Sequence, residues 1–81
     1  MEHETEQRWR AALAATLRAE RGVADLSQVE VERRTGIART SYRLYEEAKR
    51  VPDAVQLAAI VDAFGVPWLT FMAEVQRRAS E

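Results

Sequence analysis

The segment from Ser27 to Glu47, SQVEVERRTGIARTSYRLYEE, is the most informative part of the chain for predicting the fold. Ser27 followed three residues later by Glu30 is the pattern of a capping box, and it predicts the start of a helix. Gly36 ends that helix about two turns later, because glycine supplies the positive φ of a tight turn at low cost. A second short helix is expected over Ala38–Glu47. The segment therefore predicts two short helices joined by a tight turn.

Glycines and prolines divide the rest of the chain into further helix-sized segments. No segment long enough to form a strand shows apolar and polar residues alternating with period two. Gly22 is expected to end helix 1 in the left-handed conformation. Besides the pair, the predicted helices are Thr5–Arg21, a helix from Pro52 to its end at Gly65, and Pro67–Ala79. The 81 residues are therefore expected to form one all-α domain, residues 1–81, with the motif at 27–47 and a flexible acidic tail over 1–5.

Apolar side chains at helical spacing predict the core. Trp9 begins such a stripe on helix 1, and Tyr42 and Tyr45 share one face of the second motif helix. The stripe of helix 4 contains Ala54, Leu57, Ile60, Val61 and Phe64. These residues are expected to pack inside the domain.

The composition argues against several classes of protein. There is no cysteine, hence no disulfide and no thiolate metal site. No apolar run approaches the ~20 residues of a membrane helix, and the acidic N-terminus is not a signal peptide. The lone histidine, His3, has no catalytic or metal partner in sequence. We therefore expect a cytoplasmic, non-enzymatic protein with no cofactor, metal, small-molecule ligand or membrane partner.

Charge is unevenly distributed along the chain. The net charge is −1, but the segment from Arg33 to Arg50 carries six bases and two acids, a net of +4. A basic segment on an acidic body is one electrostatic footprint of a nucleic-acid binder. A charge run alone is more often a solvated helical face.

The sequence resembles the Cro/lambda-repressor type (XRE-like) family of helix-turn-helix DNA-binding domains. The matching segments are Leu26–Gln28, Arg33–Ile37, Ser41–Glu46, Lys49–Pro52 and Leu57–Val66. The resemblance implies a compact five-helix domain that binds duplex DNA with helix 3 in the major groove. It also implies a transcriptional regulator in a bacterial or phage-infected cell, associated with the nucleoid. A repressor of phage Cro-like or autoregulatory type on a palindromic operator is the form we expect.

The resemblance also implies residue roles. The expected base-reading residues are Arg39, Thr40, Arg43 and Leu44. The expected phosphate contacts are Gln28, Ser41, Lys49 and Arg50, with bracing of helix 3 as the other role open to Gln28. Arg18, four residues before Gly22, matches an arginine that pairs with the glutamate at Glu46.

The sequence departs from the family pattern at four places. Glu32 replaces a small alanine, Ala38 replaces a Ser or Thr cap, and Ala48 replaces a common glycine. The connector Val23–Leu26 is longer than usual. These departures bear more on the geometry of the base contacts than on the fold.

Helix 5 has an apolar arc of roughly 160° on a wheel of 3.6 residues per turn, wider than one core contact needs. Leu69 and Met72 match core positions of the family. Trp68, Phe71 and Val75 are then apolar residues beyond those that the core contact requires. We expect these three to form a homodimer interface. Alternatively, helix 1 covers this edge.

A second function remains open: a protein-interaction module, such as an antitoxin or antirepressor subunit, that keeps the fold with weak or no DNA binding. Glu32, Glu47 and the overall acidity favour it mildly.

Overall fold

The computed structural model describes residues 2–81, with side chains from residue 4 onward. Its helices are α1 (Glu2–Val23), α2 (Gln28–Thr35), α3 (Arg39–Glu46), α4 (Ala54–Phe64) and α5 (Trp68–Ala79). The described residues contain no strand, and the predicted five-helix, all-α fold is confirmed. The α2–α3 pair lies where the motif predicts it.

The first helix, α1, extends beyond both of its predicted ends. It begins at Glu2, so the part of the expected tail that the structure describes is helical. Gly22 does not terminate it; the left-handed residue is Asp25, with φ 58°. The N–H of Leu26 donates to the Arg21 carbonyl and that of Asp25 to the Gly22 carbonyl, both at 3.1 Å. These two bonds form a Schellman motif three residues later than predicted.

The α2–α3 turn follows from local hydrogen bonding. Ser27 Oγ accepts from the Glu30 N–H at 3.1 Å, which caps α2. The Glu30 carboxylate pairs with Arg33 at 2.8 Å, so only half of the predicted capping box forms. Gly36 adopts φ 77°, and its N–H donates to the Glu32 carbonyl at 2.8 Å. The predicted glycine turn is confirmed.

The fourth helix, α4, carries the complete capping box. Asp53 accepts from the Gln56 N–H at 2.7 Å, and the Gln56 side chain accepts from the Asp53 N–H at 2.9 Å. Gly65, with φ 75°, ends the helix as predicted. The predicted stripe of α4 is buried except for Ala54, which is exposed.

One side of the core is closed by α1 packing along α5. Phe71 and Val75 are 0% and 2% exposed, and Arg78 Nη1 donates to Thr16 Oγ1 across the two helices at 2.9 Å. The prediction that Phe71 and Val75 lie in a dimer interface is therefore wrong, because α1 already covers them. Of the three predicted interface residues, only Trp68 remains at the surface, 41% exposed.

Besides Ala54, two larger apolar residues expected in the core lie outside it. Leu69 is 80% exposed and Trp9 is 39% exposed. On α5 the buried positions repeat as Phe71, Val75 and Ala79, at spacings of four, so Leu69 faces away from α1. The rest of the buried apolar core comprises Ala12, Leu17, Leu26, Val31, Tyr42, Tyr45, Leu57, Ile60, Val61 and Phe64.

Candidate nucleic-acid interface

Helix α3 has one face in the core and the other in solvent. Tyr42 and Tyr45 are 0% and 3% exposed, and their rings meet edge to face with centroids 6.4 Å apart. Arg39, Thr40 and Arg43 are exposed on the other face, because residues three and four apart share one side of a helix. Two predicted contact residues, Ser41 and Leu44, lie between the faces and are half-buried. The structure therefore brings the two arginines and the threonine onto one outward surface.

The entry to α3 is held by side-chain hydrogen bonds to the main chain. Thr35 Oγ1 donates to the Val31 carbonyl at 2.7 Å and accepts from the Ile37 N–H at 3.1 Å. Val31 is fully buried, so this bond ties the turn to the core side of α2. Ala38 occupies the N-cap of α3 and provides no side-chain cap. The start of α3 is therefore positioned by the turn and not by its own cap.

The end of α3 is anchored by a buried carboxylate. Glu46 is 4% exposed and accepts from Arg21 Nε at 2.6 Å and Arg21 Nη2 at 3.1 Å. Gln28 Nε2 donates to the same carboxylate at 3.1 Å, and the Tyr42 hydroxyl donates to it within the helix. Arg21 Nη1 donates to the Leu26 carbonyl at 2.9 Å, which links the α1–α2 connector to this cluster. Residues from α1, α2 and α3 thus converge on one carboxylate.

The electrostatics of this cluster favour the ionised carboxylate. Burial raises the pKa of Glu46, but hydrogen bonds from Arg21, Tyr42 and Gln28 outweigh burial and hold the pKa below its usual range. Burial, followed by the hydrogen bond to Glu46, raises the pKa of the Tyr42 hydroxyl, which therefore stays a donor. The hydrogen bond to Glu46 raises the pKa of Arg21.

Basic side chains gather where α3 ends. The chain turns at Ala48, which has φ 61°, and the N–H groups of Lys49 and Arg50 donate to the Leu44 carbonyl at 3.0 and 3.3 Å. This turn sets both exposed bases beside the last turn of α3. A carboxylate lies among them: Glu47 pairs with Arg43 at 3.2 Å and with Lys49 at 3.4 Å.

A family model described as a helix-turn-helix domain matches residues 12–69, well over half of the chain. The chain belongs to this XRE-like helix-turn-helix family. The matched range contains α2, the Gly36 turn and α3, together with the Arg21–Glu46 cluster. Comparison with curated proteins and with solved structures finds no match.

Within the helix-turn-helix domain, the predicted ion pair has a different partner. Arg18 donates to the main-chain carbonyl of Glu46, while Arg21 binds the carboxylate. The prediction counted four residues back from Gly22, whereas the left-handed residue is Asp25, which is four residues after Arg21. The unusually long connector was the signal in the sequence that indicated this shift.

The predictions from the sequence include a role for Gln28 but not the ion pair that Glu47 forms. Gln28 was expected to contact phosphate or to brace helix 3, and its amide donates to Glu46, which is the bracing arrangement. In the sequence, Glu47 counts as an acid that mildly favours the protein-interaction function. Its spacing of four from Arg43 was the signal that predicts their ion pair.

Other classes of site have no support among the described residues. No group of three or more His, Cys, Asp or Glu there could hold a metal ion. The side chain of His3 lies outside the described part of the chain. No single described helix is long and apolar enough to cross a membrane, and α4 with α5 passes that test only as a pair bent by 107°.

Proposed function

We propose that this helix-turn-helix protein is a transcriptional regulator that binds duplex DNA sequence-specifically, with α3 in the major groove. The observation that carries the proposal is the outward surface of α3. Arg39, Thr40 and Arg43 are exposed there, while Tyr42 and Glu46 hold the opposite face in the protein. A helix fixed on one side and basic on the other can present its side chains to a groove in one defined orientation.

The chemistry of the exposed residues suits base recognition. Arginine can donate two parallel hydrogen bonds to guanine O6 and N7, the commonest base-specific contact. We assign Arg39 and Arg43 to such contacts, Thr40 to a polar base edge and Leu44 to a thymine methyl group.

Contacts to the DNA backbone are assigned to residues at the rim of α3. Lys49 and Arg50 follow the helix, where the chain would pass the phosphates, and Ser41 lies half-buried on its flank. Such contacts orient the protein and add salt-dependent affinity without base preference. We leave Gln28 out of this set, because its amide already donates to Glu46.

We further propose a repressor that acts as a symmetric dimer on a palindromic operator. The repressor role rests on the resemblance to Cro-type proteins, and palindromy follows from two-fold symmetry. Two α3 helices on one face of B-DNA would place half-sites about 34 Å, or one turn, apart. Trp68 and Leu69 are the large apolar residues of α5 that are exposed and could form such a contact.

The proposal is tested by selecting bound fragments from a random duplex library and titrating variants on the selected operator. Arg39→Ala should cost about 1–3 kcal/mol and relax preference at one base position per half-site. Lys49→Ala should weaken all duplexes about equally and lower the salt slope by about one unit per subunit. Arg8→Ala is the matched control: it also removes one positive charge, but from the exposed early part of α1.

Two results would contradict parts of the proposal. If Arg39→Ala weakens operator and scrambled DNA equally, Arg39 is only a backbone contact. If the wild-type protein shows no salt-dependent binding to any duplex, the protein-interaction function replaces DNA binding.

A further inference from the structure

Glu47 bridges two of the basic residues assigned to DNA contact. Its Oε2 lies 3.2 Å from Arg43 Nη1, and its Oε1 lies 3.4 Å from Lys49 Nζ. Each carboxylate oxygen therefore has its own cationic partner. The partners come from both sides of the carboxylate along the chain, one from within α3 and one from the turn after it.

The stability of the fold does not account for this carboxylate. Glu47 is the C-cap residue of α3, where a negative charge is unfavourable beside the partial negative charge of the helix end. Its main-chain N–H donates to the Arg43 carbonyl, a bond that any residue other than proline could make. No described contact links its side chain to the core. The contacts described for its side chain are the ion pairs with these two exposed cations.

On a duplex without the operator sequence, where Arg43 has no matching guanine to read, DNA phosphates and Glu47 require the same donors, Arg43 and Lys49. Arg43 and Lys49 are 52% and 68% exposed, so both are within reach of a docked duplex. A phosphate that approaches either cation must displace the carboxylate or share the cation with it. The carboxylate also adds a like charge beside the phosphate, which opposes docking.

We propose that Glu47 is an intramolecular competitor of DNA phosphate and restrains the affinity of α3 for duplex DNA of any sequence. The inference rests on the proposed function, since it concerns the same surface. It assigns to Glu47 a role in setting affinity that is separate from base reading by Arg39. Removing the charge should release both cations without altering the fold.

The test compares Glu47→Gln with Glu74→Gln in the full chain. Both changes remove one negative charge and keep a side chain of the same shape. Glu74 pairs with Arg77 at 3.0 Å on α5, so Glu74→Gln removes a comparable arginine–carboxylate pair on another helix. The probe is a fluorescent random-sequence 20-base-pair duplex, titrated by anisotropy at several KCl concentrations, with a thermal melt of each variant.

We expect Glu47→Gln to bind the random duplex about two- to tenfold more tightly than wild type, the range for releasing one or two exposed ion pairs. Its salt slope should steepen by about one unit per subunit. Glu74→Gln should change affinity by less than about twofold. The melting temperature of Glu47→Gln should change by less than about 5 °C, because the lost ion pairs and the relieved repulsion at the helix end are of similar size.

The outcomes separate this inference from the proposed function. Salt-dependent binding by wild type with equal gains in both variants would overturn the inference alone, because net charge would then explain the gain. Binding by Glu47→Gln where wild type shows none would support both. No binding by any of the three proteins would overturn both.

Discussion

Replacing Arg21 by methionine tests whether the buried carboxylate is the anchor of α3. Methionine keeps the length and apolar character of the stem but removes the charge and all the donors. Among the described side chains, Tyr42 and Gln28 alone would still donate to Glu46, which is 4% exposed. An ionised carboxylate would then be buried without a countercharge.

The expected cost follows from the exposure of the pair. Removing one partner of a fully buried ion pair costs about 3–5 kcal/mol. The Arg21 side chain is 24% exposed, and Glu46 retains two donors, so we expect a cost at or just below the lower limit of that range, about 2–3 kcal/mol. For a domain of this size the loss corresponds to a fall in melting temperature of roughly 10–20 °C.

Urea titration followed by circular dichroism measures this cost, and Arg18→Met is the control. Arg18 is exposed and donates to the Glu46 carbonyl, not to the carboxylate, so its loss should cost about 1 kcal/mol or less. If Arg18→Met destabilises as much as Arg21→Met, the assignment of Arg21 as the partner of the carboxylate is refuted. Adding Glu46→Gln to Arg21→Met should cost less than the sum of the two single changes.

The pH dependence gives a second measurement on the same variant. In wild type the pKa of Glu46 is lowered, so its contribution to stability is present above its unfolded pKa and is lost as pH falls through the folded pKa. Without Arg21, burial acts against the charged form, and protonation relieves that penalty. The difference in unfolding free energy between wild type and Arg21→Met should therefore shrink from pH 7 toward pH 4. A difference that grows on acidification would contradict this explanation.

Two further predictions concern the backbone and the core. Ala48→Gly should raise the unfolding free energy by about 1 kcal/mol, because alanine at φ 61° is strained where glycine is not. The control Ala58→Gly, in the exposed interior of α4, should lower the unfolding free energy by a similar amount. If both changes lower it, the claim that Ala48 is strained is contradicted. Phe71→Ala should lower the unfolding free energy by about 3–5 kcal/mol and Leu69→Ala by less than about 0.5 kcal/mol, because Phe71 is fully buried and Leu69 is 80% exposed. If denaturant titrations show equal losses, the assignment of the Phe71 face of α5 to the contact with α1 is wrong.

Features that depend on neighbours along the chain could be predicted from residue types and spacing alone. Gly36 and Gly65 take the positive φ angles that end α2 and α4, and Ser27 caps α2. These interactions span a few residues, so their residue types and spacing predict them. Helical periodicity likewise sufficed to place Tyr42 inside and Arg39 outside, because one face of a short amphipathic helix must be buried.

Which groups meet across helices depends on how the helices pack, and this could not be predicted from residue spacing. Arg18 and Arg21 are one helical turn apart, and with the chain turning at Asp25 and not at Gly22, it is Arg21 that reaches the Glu46 carboxylate. The apolar arc of α5 was wide enough for two orientations, and packing against α1 buried Phe71 and left Leu69 in solvent. Periodicity shows that a helix has an apolar side, but the shape of the helix packed against it determines which part of that side is covered. The residues that set this shape belong to another helix, far away in the sequence.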